Sequence, residues 1–514
     1  MKNSCRLRIF DYIILAMLAF LLVCIFYFNF SRIISYYNFD MYSDILYATK
    51  AWEHRSVFPD GWVFGNQVYV AATPVLAALF YGITAEPLFS MGLASSVMAL
   101  LVVFSFYWMI IPCFGEYTPR ISACYLLVVF PLIFGDAVNL NNGWQMLYTM
   151  CSYYACYAIT AFWAFGVYVR SVEHGRISNR FGLFLLCCFS FFMGIQSLRQ
   201  TAIMALPMLV FEGSRMIHSL IRRRKLFGAS FWVTLFLVAS NLAGVIFSKI
   251  VPIESAPILG DIGLNTISAG ALTEIYMSLL QLFRSEKRLI GFLVICLCGF
   301  GIRIYHLKKS GAQSGFALSG LMLLSVGAIV MIDLLLTMDV RFIYYFMVYP
   351  MVAYFTSCLL TFPLKWGKNL ITAGFVCILA VVLMLGCKWG IGSPDLQKEY
   401  SYAEVSNYLT GSGYRTLFAE TDLGSKIAVA TDLEMKAGFW FKGEPFVEVR
   451  YLCDPGVYDC DPQNCVYVFQ GSESVRVAQK KLDEHGLNME LMKYFSGSEI
   501  YVFTAEDPLI PLID

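Results

Sequence analysis

Asp40 and Asp44 stand four residues apart in the stretch NFDMYSDILYATKAWEHRSVFPDGWVFGNQ, residues 38–67, with Tyr47 following. On a helix this spacing puts both carboxylates on one face, with the phenol one turn further on. A carboxylate within hydrogen-bond reach of an alcohol or amine can take its proton during group transfer, typically contributing about 10²- to 10⁴-fold. The neighbouring ionisable residues fit that role less well. Glu53, His54 and Arg55 are consecutive and point in different directions. Asp60 belongs to Phe58-Pro59-Asp60-Gly61, a turn sequence that should end a helix running from Asp40 to about Arg55. The chemistry narrows to Asp40 or Asp44. Spacing alone leaves open which one acts, and also whether the segment is simply a solvated interfacial helix.

The elements that must position these residues are set by a membrane. Of 514 residues, 58% are hydrophobic and 14% charged, against roughly 25% charged in soluble proteins; mean hydropathy is +0.65. A net charge of +1, with no basic stripe carrying interleaved aromatics, excludes nucleic acid as a partner. No Walker motif, nucleotide-binding glycine turn or serine-nucleophile elbow is present. Most of the 16 cysteines lie in or beside apolar runs and read as small buried hydrophobes. Cys453, Cys460 and Cys465 cluster in the polar C-terminal part without a C-x-x-C pair, which argues against zinc and is compatible with one disulfide and a free thiol.

Apolar runs of about 17 to 25 residues can cross a bilayer. They fall at 10–30, 88–111, 119–136, 148–170, 181–196, 200–213, 229–249, 288–304, 315–337, 342–361 and 368–387. The first follows Lys2, Arg6 and Arg8, is too long for a cleaved signal peptide and reads as an uncleaved anchor. With about eleven transmembrane helices, every basic loop falls on one side: the N-terminus, 170–180, 215–225, 303–309 and 365–368. The positive-inside rule makes that side cytoplasmic, so the chain runs N-in and C-out. The outer side receives the first loop, 31–87, and everything after the last span. Val68–Thr84 must then lie at the interface, because a crossing there would invert every later loop. The chain divides into a transmembrane domain, 1–390, and a small extracytoplasmic α/β domain, 391–514. In the latter, helices are expected around Tyr402–Leu409 and Ser474–Glu484, with strands at Thr416–Glu420, Cys465–Gln470 and Glu499–Thr504.

An anchor helix, an acidic outer loop with amphipathic helices, many spans and a terminal outer α/β domain together resemble the GT-C fold of polyprenyl-phosphate-sugar-dependent glycosyltransferases. That group includes protein O-mannosyltransferases and the aminoarabinose transferase of lipid A. Asp44-Ile45-Leu46-Tyr47, with Ala48, Ala51 and Phe58-Pro59 following, is similar to their first-loop pattern of Asp-Glu, Tyr and downstream Ala and Pro. Ile45 stands where many members carry Glu, and Asp40 could supply the second carboxylate. Residues 194–207 and Arg341-Phe342-Ile343-Tyr344 with Pro350 also look like segments of this group.

The resemblance implies a polyprenyl-phosphate-linked sugar as donor, an extracytoplasmic acceptor and a location in the cell membrane among its lipids. Asp44 or Asp40 would be the base. The leaving phosphate needs positive charge, from arginine or from a divalent cation. Arg199 and Arg341 lie at outer ends of spans, where they could grip phosphate or simply snorkel to the interface. The resemblance also brings in Asp136, the acid of the second outer loop, and Tyr47 as a substrate contact. Two other readings stand beside this one: a non-catalytic relative binding lipid or envelope partners, and a lipid or glycan transporter. A transporter usually buries charge at mid-membrane and repeats its halves, and neither feature is visible.

Overall fold

In the computed structural model the described residues are 8–31, 38–65, 67–134, 145–149, 151–223, 226–251, 253–255, 288–337, 345–361, 374–381 and 396–511, with isolated positions at 273–284, 372 and 384. Leaving aside the single turn Gln145–Tyr148, the α-helices in chain order are α1 (Ile9–Ser31), α2 (Phe39–Glu53), α3 (Thr73–Thr84), α4 (Pro87–Ile110), α5 (Tyr117–Phe134), α6 (Ala155–His174), α7 (Arg180–Gln196) and α8 (Leu206–Ile221). They continue with α9 (Ala229–Ile250), α10 (Arg288–Ser310), α11 (Gln313–Thr337), α12 (Val348–Leu359), α13 (Leu396–Gly411), α14 (Thr421–Ala430) and α15 (Ser472–His485). The strands are β1 (Thr416–Glu420), β2 (Lys436–Trp440), β3 (Cys465–Gln470), β4 (Glu490–Phe495) and β5 (Ile500–Thr504). The protein is a polytopic α-helical membrane protein with a small C-terminal α/β sheet.

Contacts divide the chain into two compact units. The first comprises Met1–Phe26, Ser96–Val251 and Asp261–Gly392. Among the described residues, five helical segments are long and apolar enough to cross a membrane: Ile9–Ser31, Pro87–Cys113, Ala155–His174, Ala229–Ile250 and Gln313–Ile332. They match five of the expected spans to within a few residues, except that α6 begins at Ala155 where the sequence suggested 148. Arg180–Gln196 and Val348–Leu359 are shorter apolar helices. The expected span at 200–213 opens as a π-helix, Thr201–Ala205, and continues as α8. Arg303, counted among the basic loop residues, sits inside α10 and is buried. It donates to the Cys113 carbonyl at 2.8 Å and lies over the rings of Phe114 and Tyr354.

The second unit comprises Tyr27–Ser95, Pro252–Gly260 and Ser393–Asp514, so the first loop and the C-terminal segment fold together. The sheet order is β2-β1-β3-β5-β4, parallel among β2, β1 and β3 and antiparallel from β3 to β5 to β4. Period-two alternation sorts its residues to two faces. Leu417, Ala419, Val466 and Val468 pack with Val405 and Leu409 of α13 and Ile427 of α14. Phe418, Tyr467 and Phe469 pack on the other face with Trp440, Phe446 and Leu482 of α15.

The loop is clasped to this domain. Asn38 caps α2 by accepting from the Met41 N–H, and the next residue, Phe39, donates its backbone N–H to Asp422 Oδ1 at 2.6 Å. The Phe39 ring meets Phe439 edge-on at 5.1 Å within a cluster containing Val449, Tyr451 and Cys453. Lys50 pairs with Asp454, and Val63 donates to the Cys453 carbonyl at 3.0 Å. Asp422→Ala leaves the Phe39 N–H without its carboxylate, so thermal unfolding of the purified protein should show a loss of about 1–3 kcal/mol.

The α3 helix, within the expected interfacial segment Val68–Thr84, is 12 residues long, so it spans roughly 18 Å, well short of the ~30 Å bilayer core. Among the three polar-region cysteines, Cys460 and Cys465 are joined, and Cys453 is a buried free thiol donating to the Val449 carbonyl. Burial pushes that thiol's pKa up to about 12, so it stays protonated.

Candidate functional site

Asp44 lies on α2, in the second unit. Its side chain is fully buried; neither carboxylate oxygen makes a hydrogen bond of ordinary geometry among the described residues, and the Tyr69 hydroxyl lies close enough to interact with it. Orphaned buried polar atoms are rare and costly. In the same unit, Ser43 Oγ on the same helix and Trp62 Nε1 on the returning loop are also buried without a partner among the described residues. Burial raises the Asp44 carboxyl well above the ordinary carboxylate range. The Tyr69 hydroxyl beside it pulls the other way, and the charge of Asp40 pushes it further up. Asp40, one turn earlier, is only partly buried. The structure thus separates two residues that sequence spacing could not rank: one carboxylate is held dry and the other is partly wet.

The surroundings of Tyr47 are aromatic. Tyr47, fully buried, meets Trp62 at 5.8 Å, Phe64 at 5.6 Å and Tyr69 at 4.9 Å between ring centroids. Its hydroxyl donates to the Val57 carbonyl at 2.8 Å. Burial, and secondarily the Asp44 charge, raise its pKa, so it remains a protonated donor. The expected substrate contact is therefore engaged in tying α2 to the turn that follows it. Tyr47→Phe keeps the ring and should cost about 1 kcal/mol in thermal unfolding. Tyr47→Ala empties a buried aromatic site and should cost about 3–5 kcal/mol. Sequence reasoning missed Ser43, Trp62 and Tyr69. None belongs to an ionisable motif, and Tyr69 lies in an apolar run that gives no chemical signal.

Arg199 belongs to the first unit. Its guanidinium lies 5.2 Å from the ring of Tyr154 and 6.0 Å from that of Tyr153, and Tyr154 stacks on Phe346 at 4.8 Å. The π-helix Thr201–Ala205 follows directly, a form frequent at functional sites. Thr201 Oγ1 bonds Asn241 Oδ1 at 2.7 Å, and the Asn241 amide donates to the Ser190 carbonyl at 3.1 Å. Gln200, fully buried with Oε1 unpartnered among the described residues, is a polar group at this turn that the sequence did not single out. Arg341 and Asp136 lie outside the described residues. Among the described residues, no three His, Cys, Asp or Glu side chains gather where a cation could sit.

No protein-family model matches the sequence, and no curated protein matches it. Solved structures do match. ArnT from Cupriavidus metallidurans in the apo state aligns with a TM-score of 0.54 over 96% of this chain and 98% of that one, at 10% identity. The same enzyme bound to undecaprenyl phosphate aligns equally well. At that identity the likeness is one of fold, and it extends over nearly the whole of both chains: this protein has the GT-C fold.

Proposed function

We propose that this protein is a cell-membrane glycosyltransferase, moving a sugar from a polyprenyl-phosphate donor to an acceptor outside the cytoplasm, with Asp44 as general base. The observation that carries the reading is the fully buried Asp44 carboxyl in the first loop of a chain with this fold. The fold neighbour's bound undecaprenyl phosphate supports the donor class.

In the reaction an acceptor hydroxyl or amine attacks the anomeric carbon. The bond from that carbon to the phosphate oxygen breaks, the acceptor proton passes to Asp44, and polyprenyl phosphate leaves. Burial strengthens the carboxylate as a base once ionised, because the charge it would lose on protonation is poorly solvated. Asp40 holds negative charge nearby and makes Asp44 more basic still. Arg199, and Arg341 with it, would balance the charge on the leaving phosphate. Asp136 is assigned to substrate binding from its place in the second outer loop of the sequence. The domain 391–514 and loop 31–87 face the extracytoplasmic side in this reading, with 1–390 forming the membrane domain; the basic loops gathered on the opposite side support that orientation.

The test compares envelope lipids and glycans by mass spectrometry from cells lacking the protein, cells complemented with it and cells complemented with Asp44→Asn. A sugar modification should disappear with the protein, return with the native chain and stay absent with the variant. Identical profiles in all three would remove the proposal.

A further inference from the structure

Helices α7 and α9 of the first unit run side by side and touch through glycines near their C-terminal ends. A Cβ on Gly194 would sit 2.1 Å from the Asn241 carbonyl oxygen, and one on Gly244 would sit 2.0 Å from that of Phe191. Along their N-terminal halves the same two helices leave a groove of about 860 Å³, lined by Leu183, Phe184, Cys188, Phe192, Phe236 and Ala243, with Arg180 at one end. That volume lies in the range of ligand pockets. A second, smaller cavity of about 100 Å³ adjoins it, sharing Ile177 and Leu183, and is lined by Arg170, Arg176, Ser178 and Asn179.

The end carrying the arginines has the composition of a bilayer interface. Trp108 and Trp163 stack at 4.2 Å, Arg170 lies 3.7 Å over the Trp108 ring, and Trp232 is 44% exposed beside Arg180 in the groove lining. Tryptophans gather at that depth in membrane proteins. Arg170 uses two of its N–H groups on the carbonyls of Gly166 and Trp108. Arg176 and Arg180 are exposed and pair with no acid among the described residues. Glu173, exposed at the end of α6, is the acidic neighbour. Three guanidiniums against one carboxylate leave this end positive, at the mouth of an apolar slot.

We propose that the slot is a binding site for one anionic phospholipid. Its phosphate lies against Arg176 and Arg180, and one acyl chain runs between α7 and α9 toward the Gly194–Gly244 contact. Charge complementarity selects the headgroup, since basic pockets between transmembrane helices favour anionic lipids. The slot's apolar walls select a chain-bearing ligand over a free anion. The site is independent of Asp44 and of the proposed transfer.

The test uses the full-length protein, delipidated in mild detergent and exposed to phosphatidylglycerol or phosphatidylcholine, with bound lipid read by native mass spectrometry. Phosphatidylglycerol should be retained at least about tenfold over phosphatidylcholine, and millimolar inorganic phosphate should not displace it. Arg176→Gln with Arg180→Gln should abolish the preference. Ala243→Trp, on an exposed face of α9, should fill the slot and reduce retention of both lipids without changing thermal unfolding. Equal retention of the two lipids, displacement by inorganic phosphate, or undiminished phosphatidylglycerol binding by the Ala243→Trp protein would each overturn the assignment. The last arm decides the matter even if the arginine variant does not fold.

Discussion

Asp44→Asn should lower transfer activity by at least about 10² to 10⁴ while making the protein more stable, a pairing that a purely structural aspartate would not give. The amide keeps the shape of the side chain and removes the group that burial disfavours. The sign follows from linkage. The folded-state pKa of Asp44 is raised, so its contribution to stability is intact below the unfolded-state value of about 4 and is lost as pH rises through the raised folded-state value. Unfolding midpoints of the native chain and the variant should therefore converge in acid and separate toward neutral pH, with Asp44→Asn the higher. Activity should run the opposite way. In the proposed reaction Asp44 acts ionised, so kcat/KM should fall on acidification through a pKa displaced above the ordinary carboxylate range.

Asp40→Asn is the informative companion. Asp40 is partly solvated and raises the Asp44 pKa through its charge, so removing it should shift the acid limb to lower pH with a smaller loss of maximal rate. Full activity in Asp44→Asn together with loss in Asp40→Asn would transfer the base assignment to Asp40. Full activity in both would leave the chain without its proposed base.

How far the sequence reaches can be judged from particular elements. The strands Thr416–Glu420 and Cys465–Gln470 are found at the residues where the sequence places them: each is a short, mostly apolar run, and both are buried on both faces. Strand β4 was not expected: five of its six residues are exposed, and Glu490 and Lys493 interrupt any apolar pattern. Its place in the sheet comes from pairing with β5, a non-local cause. Strand β2 and helix α14 escaped for a similar reason, since residues 421–440 mix Gly, Lys and acids and take their structure from packing on β1. In the loop, the helix was legible and its depth was not. Spacing places Asp40 and Asp44 on one face, but the Tyr69 hydroxyl that reaches Asp44 comes from an apolar run further along the chain. The Lys50–Asp454 and Phe39–Asp422 links join residues about four hundred apart, and no periodicity carries that information.

Gly244→Leu should be the most damaging single substitution away from the candidate site. In the native packing a Cβ at this position meets the Phe191 carbonyl oxygen at 2.0 Å, its carbon at 2.9 Å and the Ile195 nitrogen at 3.0 Å. All three are backbone atoms, so no side chain can swing aside. Small residues at helix crossings in membranes exist to permit this approach. Restoring an ordinary contact means separating α7 from α9 by more than an ångström, which breaks the Asn241–Ser190 hydrogen bond and strains the Thr201–Asn241 bond that holds the π-helix. Overpacking of this kind costs about 1–3 kcal/mol and occasionally more. With two hydrogen bonds disturbed, thermal unfolding in detergent should show a loss at or above the upper end of that range. Gly213→Ala provides the control, because nothing lies within 4 Å of its added Cβ and alanine favours a helix interior by up to about 1 kcal/mol. The damage also has a functional reading. Arg199 sits between α7 and the π-helix, so its position beside Tyr154 depends on the same crossing. If Arg199 holds phosphate as proposed, polyprenyl-phosphate binding by the purified protein should weaken in Gly244→Leu, under conditions where the protein remains folded, and stay unchanged in Gly213→Ala. Native affinity in a folded Gly244→Leu protein would mean that Arg199 is not a phosphate ligand.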